Sequence, residues 1–282
     1  MNFLYSLLLL FFSLQIFADV FSCEDSNGNK IFTDNKSNCS FSKQIETKIY
    51  SSTENDFYNE IPDFLQTRKS ANFPGGGKQF CGPVAVSNSL VWLKGEQDEA
   101  YQIGLIHKLS KPEYMNTNTK NGTGTTGLIR GIDKYATEIW GGYEKLEYSG
   151  WRKSPSKYRS AFDKPTITFM RKGLNRKSSV WLNVGWYKVD QLTNEYRRVG
   201  GHWVTLVGYE GGRLIVHDPA PRAGKSFSNE FVSYSILTSG VLVGSKSGLP
   251  QKAKGFISLE SGMHIPRRAN TAIIDGVVLL QI

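Results

Sequence analysis

Residues 200–219 read GGHWVTLVGYEGGRLIVHDP, and this stretch predicts a β-hairpin that carries two reactive side chains. β-branched and aromatic residues fill two runs on either side of Gly211-Gly212, a pair typical of a two-residue hairpin turn. Folding the second run back on the first brings Asp218 to within a couple of residues of the level of His202. A carboxylate there can hydrogen-bond the imidazole, so the hairpin supplies a base and the group that orients it.

A candidate nucleophile lies upstream, where residues 79–93 read QFCGPVAVSNSLVWL. Apolar residues recur at helical spacings after Cys81, and Pro83 fits the first helical position. Cys81 would then lie at the amino end of a buried helix, where the helix dipole and free N–H groups stabilise a thiolate. Many cysteines are buried and inert, so a structural core thiol is the alternative. With His202 and Asp218, Cys81 would complete the groups that nucleophilic acyl transfer needs.

Three motifs together resemble the papain-like cysteine peptidases, in their bacteriocin-processing, double-glycine-peptidase branch. They are Gln-Phe-Cys-Gly-Pro at the head of a helix, Gly-His-Trp-Val on a strand, and an Asp-Pro 16 residues after the histidine. The resemblance covers residues 73–282. It implies that Cys81 is the nucleophile, His202 the general base and acid, and Asp218 the orienting group. It also implies a preference for small residues, often glycine, before the scissile bond.

One position departs from this family's pattern. Such enzymes usually take an oxyanion donor from a glutamine several residues before the cysteine, whereas here the nearest is Gln79, two residues before Cys81. An amide side chain is a suitable donor to a developing oxyanion, and the backbone N–H of Cys81 is the alternative. The sequence therefore predicts an oxyanion site formed by Gln79, by Cys81, or by both.

The predicted architecture is α+β, a papain-like fold of two lobes spanning residues 78–282. Helices expected over residues 98–109 and 126–139 would join the cysteine helix in a helical lobe. β-type runs at 167–169, 180–187 and 271–280 would join the His202 hairpin in an antiparallel sheet. The polar segment 41–77, with two prolines and three consecutive glycines, is predicted to be a linker that wraps onto this domain. The loop 116–125 is expected to border the substrate groove.

Residues 1–18, MNFLYSLLLLFFSLQIFA, carry no charged side chain and predict a signal peptide. The run is slightly short for a membrane-spanning helix, and an uncleaved anchor is the alternative. We therefore expect a secreted or periplasmic protein. Such a compartment is oxidising and permits disulfide bonds.

A small hairpin domain is predicted over residues 19–40. Cys23 and Cys39 bracket a short stretch in which Asn27-Gly28 is a strong hairpin signal. A disulfide between them is the simplest interpretation in an oxidising compartment, and it leaves Cys81 as the odd thiol. The stretch also resembles a short domain at the mature N-terminus of many Gram-negative envelope proteins.

Composition and charge limit the partners. With 34 basic and 25 acidic side chains the formal charge is +9, which favours an anionic cell-wall or envelope surface, and no motif predicts nucleic-acid binding. Apolar residues make up 39% of the chain, which argues against disorder and against a protein with many membrane spans.

His217 should face away from His202 and be structural. His107 lies in a helical stretch and His264 in a loop; neither metal-ligand spacing nor a phosphate-binding loop is present, so no metal or cofactor is expected.

The favoured function is a secreted thiol hydrolase that cleaves peptide or related amide bonds through a thioester acyl-enzyme. A cell-wall peptide amidase or an acyltransferase on the same fold would use the same groups. A non-catalytic envelope binding module would retain the triad only as structure. The sequence does not separate these alternatives, because acceptor choice depends on the shape of the cleft and on water exclusion.

Overall fold

A computed structural model of the protein describes residues 21–24, 30–33, 59–96, 98–220, 230–244 and 250–282. The chain divides into two compact units, Met1–Ser51 and Ser52–Ile282, each of which is treated by itself. The predicted signal peptide, Cys39 and the first part of the predicted linker lie outside the described residues, as does the side chain of Cys23. The predicted disulfide therefore stays a prediction.

In the first unit, strands β1 (Phe21–Glu24) and β2 (Lys30–Thr33) pair antiparallel. Cys23 lies opposite Ile31 in this pair. The pairing agrees with the predicted hairpin around Asn27-Gly28. The connecting residues 25–29 lie outside the described part of the chain.

The helices of the second unit are α1 (Cys81–Lys94), α2 (Glu99–Ser110), α3 (Thr125–Trp140) and α4 (Ile167–Lys172). The first three agree with the predictions to within one or two residues. The side chain of Asp98 caps α2 by accepting from the backbone N–H of Tyr101 at 2.9 Å. None of the helices among the described residues has the length and apolar character needed to cross a membrane.

The strand predicted at residues 167–169 is wrong, because this segment begins α4. Thr166 has extended backbone angles, and its side chain accepts a hydrogen bond from the N–H of Phe169 at 3.1 Å. This is the N-cap arrangement that starts a helix, and it outweighs the weak β-propensity of three residues.

The second unit contains one large sheet. Its strands are β3 (Lys145–Gly150), β4 (Ser178–Asp190), β5 (Glu195–Glu210), β6 (Arg213–His217), β7 (Glu230–Ile236), β8 (Val241–Val243), β9 (Gln251–Lys252), β10 (Ile257–Ser261) and β11 (Thr271–Gln281). Within the described residues, the pairing order β4-β5-β6-β7-β10-β11 returns to β4 and closes a ring. The protein is therefore α+β.

The prediction of a purely antiparallel sheet is wrong at one place, where β8 pairs parallel with β5. The β4–β5 hairpin extends to Asp190 and Glu195, well beyond the strands predicted from the sequence. Its outer end offers a free edge, and the three residues of β8 pair with it at Glu195–Arg197. A strand this short has too weak a sequence signal to reveal its direction.

Two large apolar clusters hold this unit together. One fills the ring of strands and includes Leu182, Val204 and Ile274. The other joins α1, α2 and α3 to the outer face of the sheet through Trp181 and Trp203. The side chains of Trp181 and Thr205 both donate to the carbonyl of Ala85, at 3.1 and 2.7 Å, so β4 and β5 hold α1 at one point.

The second half of the predicted linker is part of the folded domain. Ile61, Phe64 and Phe73 are buried in the described segment 59–77, and the Asn88 side chain accepts from the N–H of Phe64 at 3.3 Å. This part of the predicted linker thus wraps onto the domain, as expected, and its buried anchors reach back to Ile61. The segment was hard to recognise because it contributes a few scattered apolar anchors and has no regular period.

Candidate active site

Cys81 is the first residue of α1, as expected, and it is a partly exposed free thiol. The N–H of Val84 donates to the carbonyl of Phe80 at 3.0 Å, so regular helical bonding starts at Val84. Pro83 is the third helical residue and not the first, which costs little because its N–H would have no intrahelical acceptor. The first-turn N–H groups are therefore oriented toward the region of the thiol.

The His202 hairpin forms with the predicted turn. β5 ends at Glu210 and β6 begins at Arg213, and the two turn glycines have φ of 54° and 76°, as a tight hairpin turn needs. Thr205 pairs with His217, which brings Asp218 near His202 just beyond the end of β6. The Nε2 of His202 is hydrogen-bonded to Oδ1 of Asp218, so the contact expected from the hairpin register is present.

This pair is withdrawn from solvent. His202 is 7% exposed and Asp218 is 1% exposed. Oδ1 of Asp218 also accepts from the N–H of Ala220 at 2.8 Å, which fixes the carboxylate. A buried, doubly held carboxylate leaves the imidazole little freedom to rotate.

The electrostatics of His202 favour its protonated form. Burial acts to lower the pKa of His202, but the charge and hydrogen bond of Asp218, with a hydrogen bond to Cys81, raise this pKa well above its ordinary value. An imidazolium is thus held against the Cys81 sulfur on one side and the carboxylate on the other. Such a cation stabilises a neighbouring thiolate.

Trp186 is a further part of the site that the sequence analysis missed. It lies on β4 opposite Gly200, and its ring stacks on the imidazole of His202, with centroids 5.8 Å apart and planes inclined by 20°. The indole covers the buried imidazole and limits the access of water to its hydrogen bond with Asp218. Pairing the strand at 180–187 with the His202 strand would have been needed to find it.

The loop 116–125 lies against the first turn of α1. A Cβ on Gly82 would be 2.8 Å from Cβ of Thr123, so this close approach requires glycine after the cysteine. The indole N–H of the buried Trp203, next to His202, donates to the carbonyl of Thr123 at 2.9 Å. Trp203 thus packs in the core and also ties this loop to the histidine strand.

Two glutamines lie near the start of α1. Gln79 is partly buried, and its Oε1 lies 3.3 Å from where a Cβ on Gly122 would be, so its amide is turned toward the loop. Its role as an oxyanion donor stays a prediction. Gln66, which the sequence analysis did not single out, is 6% exposed; its Nε2 donates to the carbonyl of Lys78 at 3.0 Å. Its backbone N–H donates to the carbonyl of Pro219 at 2.8 Å, which links this segment to the end of the hairpin.

The other histidines have structural surroundings or lie on the surface. His217 is 2% exposed, and its Nδ1 is 3.0 Å from the carbonyl of Pro62, as expected for a structural side chain. His107 lies on α2, with Nε2 3.0 Å from the carbonyl of Ala71, and His264 is exposed. Within the described part of the chain, no group of three or more His, Cys, Asp or Glu side chains is placed to hold a metal ion.

The arrangement places a partly exposed thiol beside an imidazole that is hydrogen-bonded to a buried carboxylate. These are the groups that activate a nucleophile, move its proton and hold the proton carrier in place. Comparison with protein-family models, with curated proteins and with solved structures finds no match for this chain.

Proposed function

We propose that this protein is a secreted cysteine peptidase of the papain-like type, which cleaves peptide or related amide bonds. The observation that carries the proposal is the buried hydrogen bond between His202 and Asp218, beside a Cys81 side chain that helps to raise the pKa of His202. The three residues come from the start of α1, from β5 and from the end of β6, which are distant in sequence. A structural cysteine would need neither a protonated histidine nor a partly exposed thiol.

The proposed reaction has two stages, acylation of Cys81 and hydrolysis of the acyl-enzyme, and the same groups act in both. The Cys81 thiolate attacks the carbonyl carbon of the scissile amide, and the oxyanion is held by the backbone N–H of Cys81 or by Gln79. His202 gives its proton to the leaving amine, and a thioester to Cys81 remains. His202 then takes a proton from water, whose oxygen displaces the sulfur and releases the acid. Asp218 keeps the ring oriented throughout.

The arrangement of the second unit supports the papain-like form of this proposal. Three helices pack on the outer face of a closed ring of strands, the nucleophile starts the buried helix, and the base lies on a strand that holds that helix. The proposal of export to the periplasm or beyond rests on residues 1–18 of the sequence. The formal charge of +9 suits a peptide substrate at an anionic envelope surface.

Alkylation of Cys81 tests the proposal without a known substrate. The mature protein should react rapidly with iodoacetamide at about pH 6, where an ordinary thiol is mostly protonated and slow. His202→Ala should slow this reaction strongly, because the cation that stabilises the thiolate is gone. The Cys81→Ala protein is the blank, and His264→Ala, which removes an exposed histidine, is the matched control. Slow labelling at pH 6 that is indifferent to His202 would mean a structural thiol and would overturn the proposal.

A further inference from the structure

A second buried carboxylate lies on the large sheet, and the proposed reaction does not use it. Asp275 is fully buried on β11, and it accepts from Nε of Arg198 at 2.6 Å. It also accepts from the indole N–H of Trp151 at 2.9 Å and from the hydroxyl of Tyr187. A buried charge that loses its partners is costly, so this carboxylate holds β11 firmly to β4 and β5.

The arginine of this ion pair lies at a β-bulge in the hairpin of β4 and β5. Arg198 pairs with Tyr187 and Gly200 pairs with Trp186, which leaves Val199 as the extra residue. The ring of Trp186 is the one that stacks on the imidazole of the candidate site. An extra residue shifts the alternation of side chains by one, so this bulge decides on which face of β5 the histidine lies.

The aspartate lies at a second bulge, on the other edge of β4. Ile274 pairs with Val184 and Gly276 pairs with Asn183, which leaves Asp275 as the extra residue. On its other side, Val184 pairs with the histidine of the candidate site. The two bulges therefore flank the part of β4 that lies beside the histidine.

A glycine on β4 lets the ion pair connect the two bulges. A Cβ on Gly185 would lie 2.6 Å from both carboxylate oxygens of Asp275, closer than real Cβ atoms approach such neighbours. Gly185 pairs with Ile273 of β11 on one side and with Gly201 of β5 on the other. The carboxylate therefore lies against the backbone of β4 and reaches Arg198 on the next strand.

The histidine lies midway between this bulge and a fixed contact with the cysteine helix. Val199 comes three residues before His202. Thr205 comes three residues after it, and its hydroxyl donates to the carbonyl of Ala85 on α1 at 2.7 Å. The hairpin turn sets the bond of the imidazole to Asp218, whereas the bulge sets how this part of β5 approaches α1. Loss of the ion pair would thus move the imidazole relative to the thiol and leave its bond to Asp218 in place.

We propose that Arg198 and Asp275 are positioning residues of the active site. Their ion pair fixes the two bulges, and the bulges place Trp186 and His202 where the imidazole adjoins the Cys81 thiol. The inference rests on the proposed function, and it adds two residues that act through the strands and not by contact with the reacting atoms. A displacement of about 1 Å in a catalytic group can cost about 100-fold in rate.

Alkylation of Cys81 by iodoacetamide over a range of pH tests this positioning role. Asp275→Asn removes the ion pair and keeps the size of the side chain, so the labelling rate at about pH 6 should fall about 10- to 100-fold. At about pH 9.5 the difference should largely disappear, because an ordinary thiol is then ionised without help from an imidazolium. A change confined to low pH reports the contact between thiol and imidazole, which a loss of stability would not alter in the folded protein.

Gly185→Ala disturbs the same carboxylate without removing a charge. Its added methyl group would displace Asp275, so labelling should slow at about pH 6 and recover at about pH 9.5, as in Asp275→Asn. Gly104→Ala on α2 is the matched control, because a Cβ there has no close neighbour among the described residues, and its pH profile should equal that of the native protein. Gly185→Ala also tests the proposal if Asp275→Asn does not fold.

A stability control separates positioning from a general loosening of the fold. Leu109→Ala removes a buried side chain at the end of α2, so it should lower the urea midpoint measured by circular dichroism. Its labelling profile should stay that of the native protein. A fall at about pH 6 as large as in Asp275→Asn would mean that the profile follows stability, and would overturn the positioning role.

The positioning role and the proposed function fail in different ways. Fast labelling that depends on His202, with unchanged profiles in Asp275→Asn and Gly185→Ala, would overturn the positioning role and leave the peptidase intact. Labelling of the native protein that is slow at low pH and indifferent to His202 would overturn the peptidase.

Discussion

Strand β5 carries two cations four residues apart, Arg198 and His202, and each is paired with a carboxylate that is almost fully buried. The geometry is similar, but the cations differ in chemistry. The guanidinium keeps its charge at any ordinary pH, so the Arg198–Asp275 pair can hold the structure together but cannot pass a proton. The imidazole can gain and lose a proton, and Cys81 adjoins it, so the His202–Asp218 pair can take part in a reaction. Both carboxylates are buried to a similar extent, so the chemistry of the cationic partner decides what each pair can do.

The largest effect should come from Asp218→Asn, which tests whether the imidazole pair is the reactive one. The carboxamide of the variant can still accept hydrogen bonds from the His202 ring and from the N–H of Ala220. The substitution removes the negative charge that raises the pKa of His202. We expect the rate of Cys81 labelling at about pH 6, and turnover once a substrate is known, to fall by about 10²- to 10⁴-fold. An unchanged rate would mean that Asp218 is only structural.

The next effect should come from Asp275→Ala, which tests the structural role of the guanidinium pair. It leaves Arg198, whose side chain is 14% exposed, without its counter-ion. The free energy of unfolding should fall by about 3–5 kcal/mol, because an unpaired buried charge is costly. Urea unfolding followed by circular dichroism measures this loss, with Asp163→Ala, at an exposed aspartate, as the control. A loss as small as that of the control would contradict the structural role.

A smaller effect should distinguish the His202–Asp218 pair from the Arg198–Asp275 pair: only the first should make the free energy of unfolding depend on pH. The folded-state pKa of His202 is raised, so the folded protein binds this proton more tightly than the unfolded chain, whose histidine has a pKa of about 6.5. The stabilisation is complete below about pH 6.5 and is lost as pH rises through the folded-state value. The stability difference between native protein and His202→Gln should therefore shrink from about pH 6.5 upward.

The guanidinium pair supplies the reference for that experiment. The deficit of Asp275→Ala should stay constant over the same range, since guanidinium groups do not titrate there. A His202→Gln deficit that is equally flat between pH 6 and 9 would show that the imidazole proton contributes nothing to stability. The measurement is urea unfolding of both variants at a series of pH values.

The elements found correctly from the sequence have strong local signals. The Gly211-Gly212 turn and its flanking strands, the helix that begins at Cys81, and α2 behind its Asp98 cap each depend on residues close together in the chain. Because a two-residue turn sets the register of a hairpin, even the contact between His202 and Asp218 could be predicted. The two residues are 16 positions apart in the sequence, but one turn decides whether they meet.

The features that were missed or misjudged depend on residues far apart in sequence. Trp186 reaches His202 only through the pairing of β4 with β5, and Asp275 reaches Arg198 from the last strand of the sheet. Segment 59–77 has the sequence character of a linker, because its few apolar anchors find their partners on α1 and α2 and not within the segment. No local period encodes such partners.

The sequence by itself determined the three reactive residue types, the elements that carry them and the hairpin contact that orients the histidine. Only the tertiary structure decided that Cys81 adjoins His202, that Trp186 covers the imidazole, and that Arg198 pairs with the buried Asp275. The physical reason is the separation along the chain of the residues that interact. Helix starts and tight turns arise from sterics and hydrogen bonds among near neighbours, whereas a site is formed by packing that brings distant strands and helices together.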